Sequence, residues 1–440
     1  MHRTSSGATV KRAMAEAILG SLTFSGEMQD HTSKLKKFSE REWGSALTWL
    51  HDAGLALYFL QKLKNANATD VLPTSTLSRL EKNLAANRRR VASMARQFDR
   101  LNQKFDGVGV RYAVVKGFSL VPQFCPDASL RHQSDLDYLI DNQSLAAAQR
   151  VVEDAGYSLT KSANNEFVFV MPSVPTPPPA DEQYEAHAPH AVELHLAFWG
   201  SDSHAVFLTE PDFSVRNVRT HRWQGSIFRA LPEEDALLLQ VTHAFNHILI
   251  GWVRLSWLYE IGFFLKQRSN DTSLWECVDR RIGGDRLLRE IVVVVTELCA
   301  QFFGAPIPSA SRIWEEQLPD AVRIWIQNYA RPWVFAKSRP DQFSLFSTAK
   351  LVLFFHQQYL PDASARRHLV RIRLLPSEPF FQRARSIATK SSANFAGRRQ
   401  HRVLTRLLFH VTAGLRYLWE IPRWRRLTRV RGTPNPQELA

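Results

Sequence analysis

The segment Arg131–Asp141, RHQSDLDYLID, decides how the middle of the chain folds. Asp135 and Asp137 stand at alternate positions of what reads as a buried strand. Residues two apart in a strand share a face, so both carboxylates point the same way. A carboxylate leaves water at high cost unless it is paired, hydrogen-bonded or bound to a cation. Two on one face repel, and a cation between them removes the repulsion. The bland alternative is a pair of strand-entry acids held by backbone N–H groups.

Working outward, VGVRYAVVKG (108–117) is β-rich and ends at a glycine that opens a predicted helix, GFSLVPQF (117–124). NQSLAAAQRVVEDAG (142–156) reads as a helix capped by Asn142 or Ser144 and closed by Gly156. YSLTKS (157–162), NEFVFVM (165–171) and AVELHLAFW (191–199) read as strands. The proline-rich excursion at 172–190 is a solvated loop by composition. On the amino-terminal side, 40–65 and 76–105 carry apolar residues at three- and four-residue spacing, separated by ATDVLPTST. On the carboxy-terminal side, LPEEDALLLQ opens a second helical region with a proline and three acids at its start. The expected class is α+β: a small mixed-sheet palm embedded between helical regions. The expected divisions are 1–107 helical, 108–230 palm, 231–360 helical and 361–440 a basic tail.

The chain has 440 residues, 45% of them apolar, enough for a large core divided into two or three packed units. Cys125, Cys277 and Cys299 match no zinc or disulfide spacing, so a reducing compartment and a cytoplasmic location are expected. The amino terminus lacks the sustained apolar run of a signal peptide, and no segment reads as a membrane span. The net charge of +14 is unevenly placed: Arg366–Arg431 holds 17 basic residues against two acids, a net of +15, leaving −1 for the rest. Nucleic-acid binding by the body is therefore not implied by the pI. In the tail, Val403, Leu404, Leu407, Leu408, Val411, Leu415, Leu418 and Trp419 fall at helical spacing among arginines. That pattern suits an anionic membrane surface at the inner face, ahead of a helix packed on the body or a nucleic-acid contact.

Three features inside the palm carry chemistry. Lys116-Gly117 at a strand-to-helix turn suits a phosphate, although such turns are common. Asp135 and Asp137 are the second feature, and Glu193, on a strand able to lie beside them, is the third. Asp141, Asp181 and Glu185 compete with Glu193 for the third acid. Converging carboxylates near a phosphate-binding turn are what Mg²⁺ or Mn²⁺ needs to hold a nucleoside triphosphate. His243 and His247, one helical turn apart, lack an obvious third ligand. The group His187, His190 and His195 is a weak candidate for zinc.

YAVVKGFSL, LRHQSDLDYLI, AVELHLAFW and LPEEDALLLQVTHAFNH…WVRLSWLYEI, in this order, resemble the successive blocks of the uncharacterised nucleotidyltransferase-5 type family, which is similar to the DNA polymerase beta superfamily. The resemblance runs from about Glu40 to Leu265. It implies Mg²⁺-dependent transfer of a nucleoside monophosphate from an NTP to an acceptor hydroxyl, in a family associated with polysaccharide and cell-surface assembly. It assigns Asp135, Asp137 and Glu193 to the metal, Glu193 serving as ligand or base. Lys116, Gly117, Ser119 and Arg131 fall to the phosphates, with His195 orienting Glu193 or touching substrate. Lys116-Gly117 stands where the superfamily has Gly-Ser, and Glu260 where the family usually has aspartate. Protein nucleotidylation and a non-catalytic scaffold that keeps the fold are the competing functions.

Overall fold

The computed structural model describes residues 3–26, 28–163, 165–171, 184, 190–198, 213–335, 347–374 and 396–430. Met1–Gly200, Leu208–Ala244 and Arg254–Trp314 form one compact unit, and Ser201–Phe207, Phe245–Val253 and Glu315–Ala440 a second. The amino-terminal helices and the sheet thus share one unit.

The first unit begins with helices α1 (Arg3–Ser21), α2 (Met28–Leu35), α3 (Glu40–Ala53), α4 (Ala56–Asn65) and α5 (Thr74–Gly107). A capping box closes the start of α3, with Ser39 and Glu42 exchanging side-chain and backbone bonds. Among the described residues, β1 (Tyr112–Val114), β2 (Asp135–Ile140), β3 (Ser158–Ala163), β4 (Glu166–Val170), β5 (Ala191–His195), β6 (Arg219–Trp223) and β7 (Ser226–Ala230) form one sheet. Its order is β3-β4-β5-β2-β1-β7-β6, with β2/β5 and β1/β7 parallel and the other pairs antiparallel. Helix α6 (Leu145–Glu153) links β2 to β3. After the sheet come α7 (Glu233–Ile250), α8 (Leu255–Arg268), α9 (Thr272–Ile282) and α10 (Arg286–Phe303). The mixed sheet among helices is the expected α+β class.

The alternation along β2 resolves the question its sequence raises. Leu136, Tyr138 and Ile140 point to one face, where Tyr138 meets Phe98 and Phe105 of α5. Asp135, Asp137 and Leu139 share the opposite face. There Leu139 joins Ala113, Val115, Leu231 and Leu239 in a buried cluster that seats α7 on the sheet. That face is therefore apolar at one end of β2 and acidic at the other.

Several local expectations change. The predicted helix 117–124 is one 3-10 turn, Gly117–Leu120, because Pro122 has no N–H to continue it. Ser144 does precede α6, but its hydroxyl accepts the Arg111 N–H instead of capping the helix. The β6–β7 hairpin carries no alternating apolar signal. Its two-residue turn, Gln224-Gly225, has positive φ at both positions, as hairpin twist demands.

Candidate active site

Two parallel strands assemble the acidic face. In the β2/β5 register Asp135 lies opposite Ala191, Asp137 opposite Glu193 and Leu139 opposite His195. Glu193 and His195 therefore share the face of Asp135 and Asp137. His195 Nε2 lies 3.2 Å from Asp137 Oδ1 and 3.5 Å from Glu193 Oε2. Donor atoms of Asp137, Glu193 and His195 all fall within 4.8 Å of one another, the one His/Cys/Asp/Glu group of this kind among the described residues.

Lys116 completes the cluster. It follows β1, and its ammonium donates to Asp137 Oδ1 at 2.9 Å while standing 5.7 Å from the Phe198 ring. Burial alone lowers the pKa of Lys116, but Asp137, Asp135 and Glu193 together raise it above its ordinary value. Asp137 is 2% exposed. Burial favours its neutral form, yet Lys116 and His195 more than offset this and hold the carboxyl well below the usual range. Asp135 shows the opposite result: burial, then Asp137 and Glu193, push it up to about 7. Hydrogen bonds to Asp137 and Glu193 overcome the burial of His195 and raise its pKa. Two neighbouring acids driven apart in this way signal a site with more negative charge than one lysine satisfies.

The chain entering β2 is clamped from α5. Asn87 donates to the carbonyls of Ser129 (2.7 Å) and Arg131 (3.0 Å), and Arg90 to that of Gln133 (2.8 Å). Gln133 in turn donates to the Asp135 carbonyl at 2.8 Å. Its amide packs where a Cβ on Gly117 would stand, and Gly117 has φ +62. A side chain there would be excluded twice, by backbone strain and by Gln133.

The model of a family described as uncharacterised nucleotidyltransferase matches residues 39–304. That span runs from the cap of α3 through the whole sheet to the end of α10, well over half the chain. The chain belongs to this family. No curated protein and no solved structure matches it. As a nucleotidyltransferase it is an enzyme with a nucleoside triphosphate as substrate, and nucleotidyltransferases generally work with divalent metal ions.

Of the residues read from the sequence, the sheet of this nucleotidyltransferase-family chain gathers Asp135, Asp137, Glu193, His195 and Lys116 on one face. His195 stands closer to the centre than expected: the compact donor group contains it in place of Asp135, whose Oδ2 instead accepts from Ser134 at 3.1 Å. Ser119 donates to the Lys116 carbonyl at 3.2 Å, a turn-stabilising bond. Arg131 is engaged by Glu260, its Nε standing 3.2 Å and 3.3 Å from the two carboxylate oxygens. Tyr58 also donates to Glu260, at 2.8 Å, so this pair is a buried structural link from α8 to the β2 entry. Asp141 lies at the far end of β2, held by Arg111 and the Ser144 N–H, and is no rival for the third acid. Asp181, Glu185 and His187 lie outside the described residues. His190 bonds Tyr157 at 2.9 Å, away from His195. His243 packs on Trp257 and His247 on Trp252, and neither joins a metal-ligand group among the described residues.

Asn87, Arg90 and Gln133 were not read as site residues. The signal for two of them was a polar residue intruding on the apolar stripe of α5, beside Leu84, Val91 and Met94.

Proposed function

We propose that this enzyme transfers a nucleoside monophosphate from an NTP to an acceptor hydroxyl, using Asp135, Asp137 and Glu193 to hold divalent metal beside the triphosphate. The observation that carries the reading is the convergence of Asp137, Glu193 and His195 from paired strands, with Asp135 one step away on the same face. Hard oxygen donors fit Mg²⁺ or Mn²⁺, and the imidazole of His195 fits Mn²⁺ better than Mg²⁺. When bound, the metal supplies charge neutralisation at the phosphates. Asp135 and Asp137 would hold it from β2. The acceptor oxygen forms the new bond to the α-phosphorus as the bond to pyrophosphate breaks. Glu193, whose side chain is 19% exposed against 1% for Asp137, takes the acceptor proton. Lys116, bonded to Asp137 and electrostatically coupled to Asp135 and Glu193, balances negative charge while the triphosphate is bound. His195 orients the Asp137 and Glu193 carboxylates through its two contacts.

Incubation with α-labelled NTPs and Mg²⁺ or Mn²⁺ tests the reading. Asp135→Asn with Asp137→Asn should abolish metal-dependent transfer while near-ultraviolet circular dichroism stays unchanged. Turnover by that double variant would overturn the assignment. A sugar acceptor in surface-polysaccharide assembly fits the family association. Label recovered on a saccharide would support it, and label on polypeptide would replace it with protein nucleotidylation.

A further inference from the structure

The carboxy-terminal helix, Ala396–Val430, uses its two faces differently. Phe409, Ala413, Tyr417 and Glu420 are buried, Tyr417 stacking on Phe354 at 4.6 Å and Trp424 on the same ring at 4.9 Å. This is the packed face, all within the second compact unit. Leu407, Leu408, Val411, Leu415, Leu418 and Trp419 are exposed, from 41% at Leu407 to 78% at Trp419. With ~100° of rotation per residue, this set centres about 180° from the packed one. A single exposed leucine needs no explanation, but six large apolar residues along three turns of one face do.

The same face then changes character. Beyond Pro422 it continues as Arg425, Arg426 and Arg429, all exposed. Arg416 and Arg423 sit beside it, each facing Glu420. An apolar block thus runs into a basic block inside a segment of net charge +15. A nucleic acid would engage the arginines and leave the leucine stripe in water. A second copy would cover the stripe but bring two strongly positive segments together. An anionic bilayer surface satisfies both halves. No helix among the described residues is long and apolar enough to cross a membrane, so the arrangement is one of lying on the surface.

We infer that this helix binds anionic lipid in the plane of the headgroups, the Leu407–Trp419 stripe at the acyl boundary and Arg425, Arg426 and Arg429 on lipid phosphates. The inference does not depend on the transfer chemistry. Flotation of the full chain with phosphatidylglycerol–phosphatidylcholine vesicles, and with phosphatidylcholine alone, tests it. Wild type should float with the first and remain behind with the second. Leu415→Asp with Trp419→Asp, which leaves the packed face intact, should reduce the bound fraction about tenfold. The milder pair Leu415→Gln and Trp419→Gln should act in the same direction. Arg425→Glu, Arg426→Glu and Arg429→Glu together should abolish the preference for anionic vesicles. Four outcomes would overturn the inference: no flotation of wild type, unchanged flotation of both stripe variants, a stripe variant that only converts a dimer to a monomer in light scattering, or displacement of vesicles by single-stranded RNA at equal charge.

Discussion

The acidic face of the sheet and the outer face of the carboxy-terminal helix depart from ordinary burial in opposite senses. On β2 and β5, Asp137 and His195 are buried, and Asp135 is pushed up to about 7 by burial and by its acidic neighbours. On the helix, Trp419 and five aliphatic residues remain in water. Both arrangements are unfavourable in isolation. They teach that a departure from the usual distribution points outside the chain, and the occupants proposed above are a cation at the first and lipid at the second. The difference lies in how much the fold depends on each. The sheet has an internal substitute, the Lys116 ammonium, whereas the helix face is carried by the packed side behind it.

Breaking the first region should have the largest effects. Asp137→Asn removes the acid that touches Lys116 and His195 and should cut nucleotidyl transfer about a thousandfold in a labelled-NTP assay. Lys116→Met leaves the acids without their counter-charge. It should lower stability by about 3 kcal/mol in urea titration, with most of the loss recovered on adding Mn²⁺. Glu260→Gln gives the necessary contrast. It weakens the buried tie to Arg131 and should lower the melting temperature while leaving metal affinity, measured by calorimetry, unchanged.

Asp135 offers a pH test of smaller size. Its folded value of about 7 lies above the ~3.9 of an unfolded aspartate. Between these limits the folded state binds the extra proton, so this group's contribution to stability falls as pH rises from about 4 to about 7. Asp135→Asn should therefore raise the melting temperature by about 3 °C at pH 8 and change it little at pH 4, by differential scanning fluorimetry. The smallest effect belongs to the second region: Leu415→Asp with Trp419→Asp should leave stability within about 0.5 kcal/mol of wild type in solution. A large loss would show that the stripe supports the fold.

The contrast also explains what was legible in the sequence. A period of two with acids on one side of β2 was visible because strand alternation is local. The convergence of Glu193 was readable only through block order, since parallel pairing joins Asp137 to Glu193, 56 positions on, only in the register of the folded sheet. The Glu260 contact of Arg131 was hidden for the same reason. Its partner, Glu260, is brought to it by α8, and nothing near either residue announces the pairing. The β6–β7 hairpin went unread because its outer residues, Arg219, Thr220 and Arg222, are exposed on an edge strand. The tail stripe was read correctly as helical, but which face packs inward depends on Phe354 of another segment.

The absent side chain at Gly117 has reach beyond its own turn. The glutamine filling that space is tied to the long amino-terminal helix on one side and to the first residue of the acidic strand on the other. A single methyl group introduced there would push the side-chain wedge out and break its tie to the acidic strand, leaving the backbone tie to the helix behind. Exchange of that one glycine would thus be felt as misalignment of carboxylates it never touches, and activity would fade before the protein lost its shape.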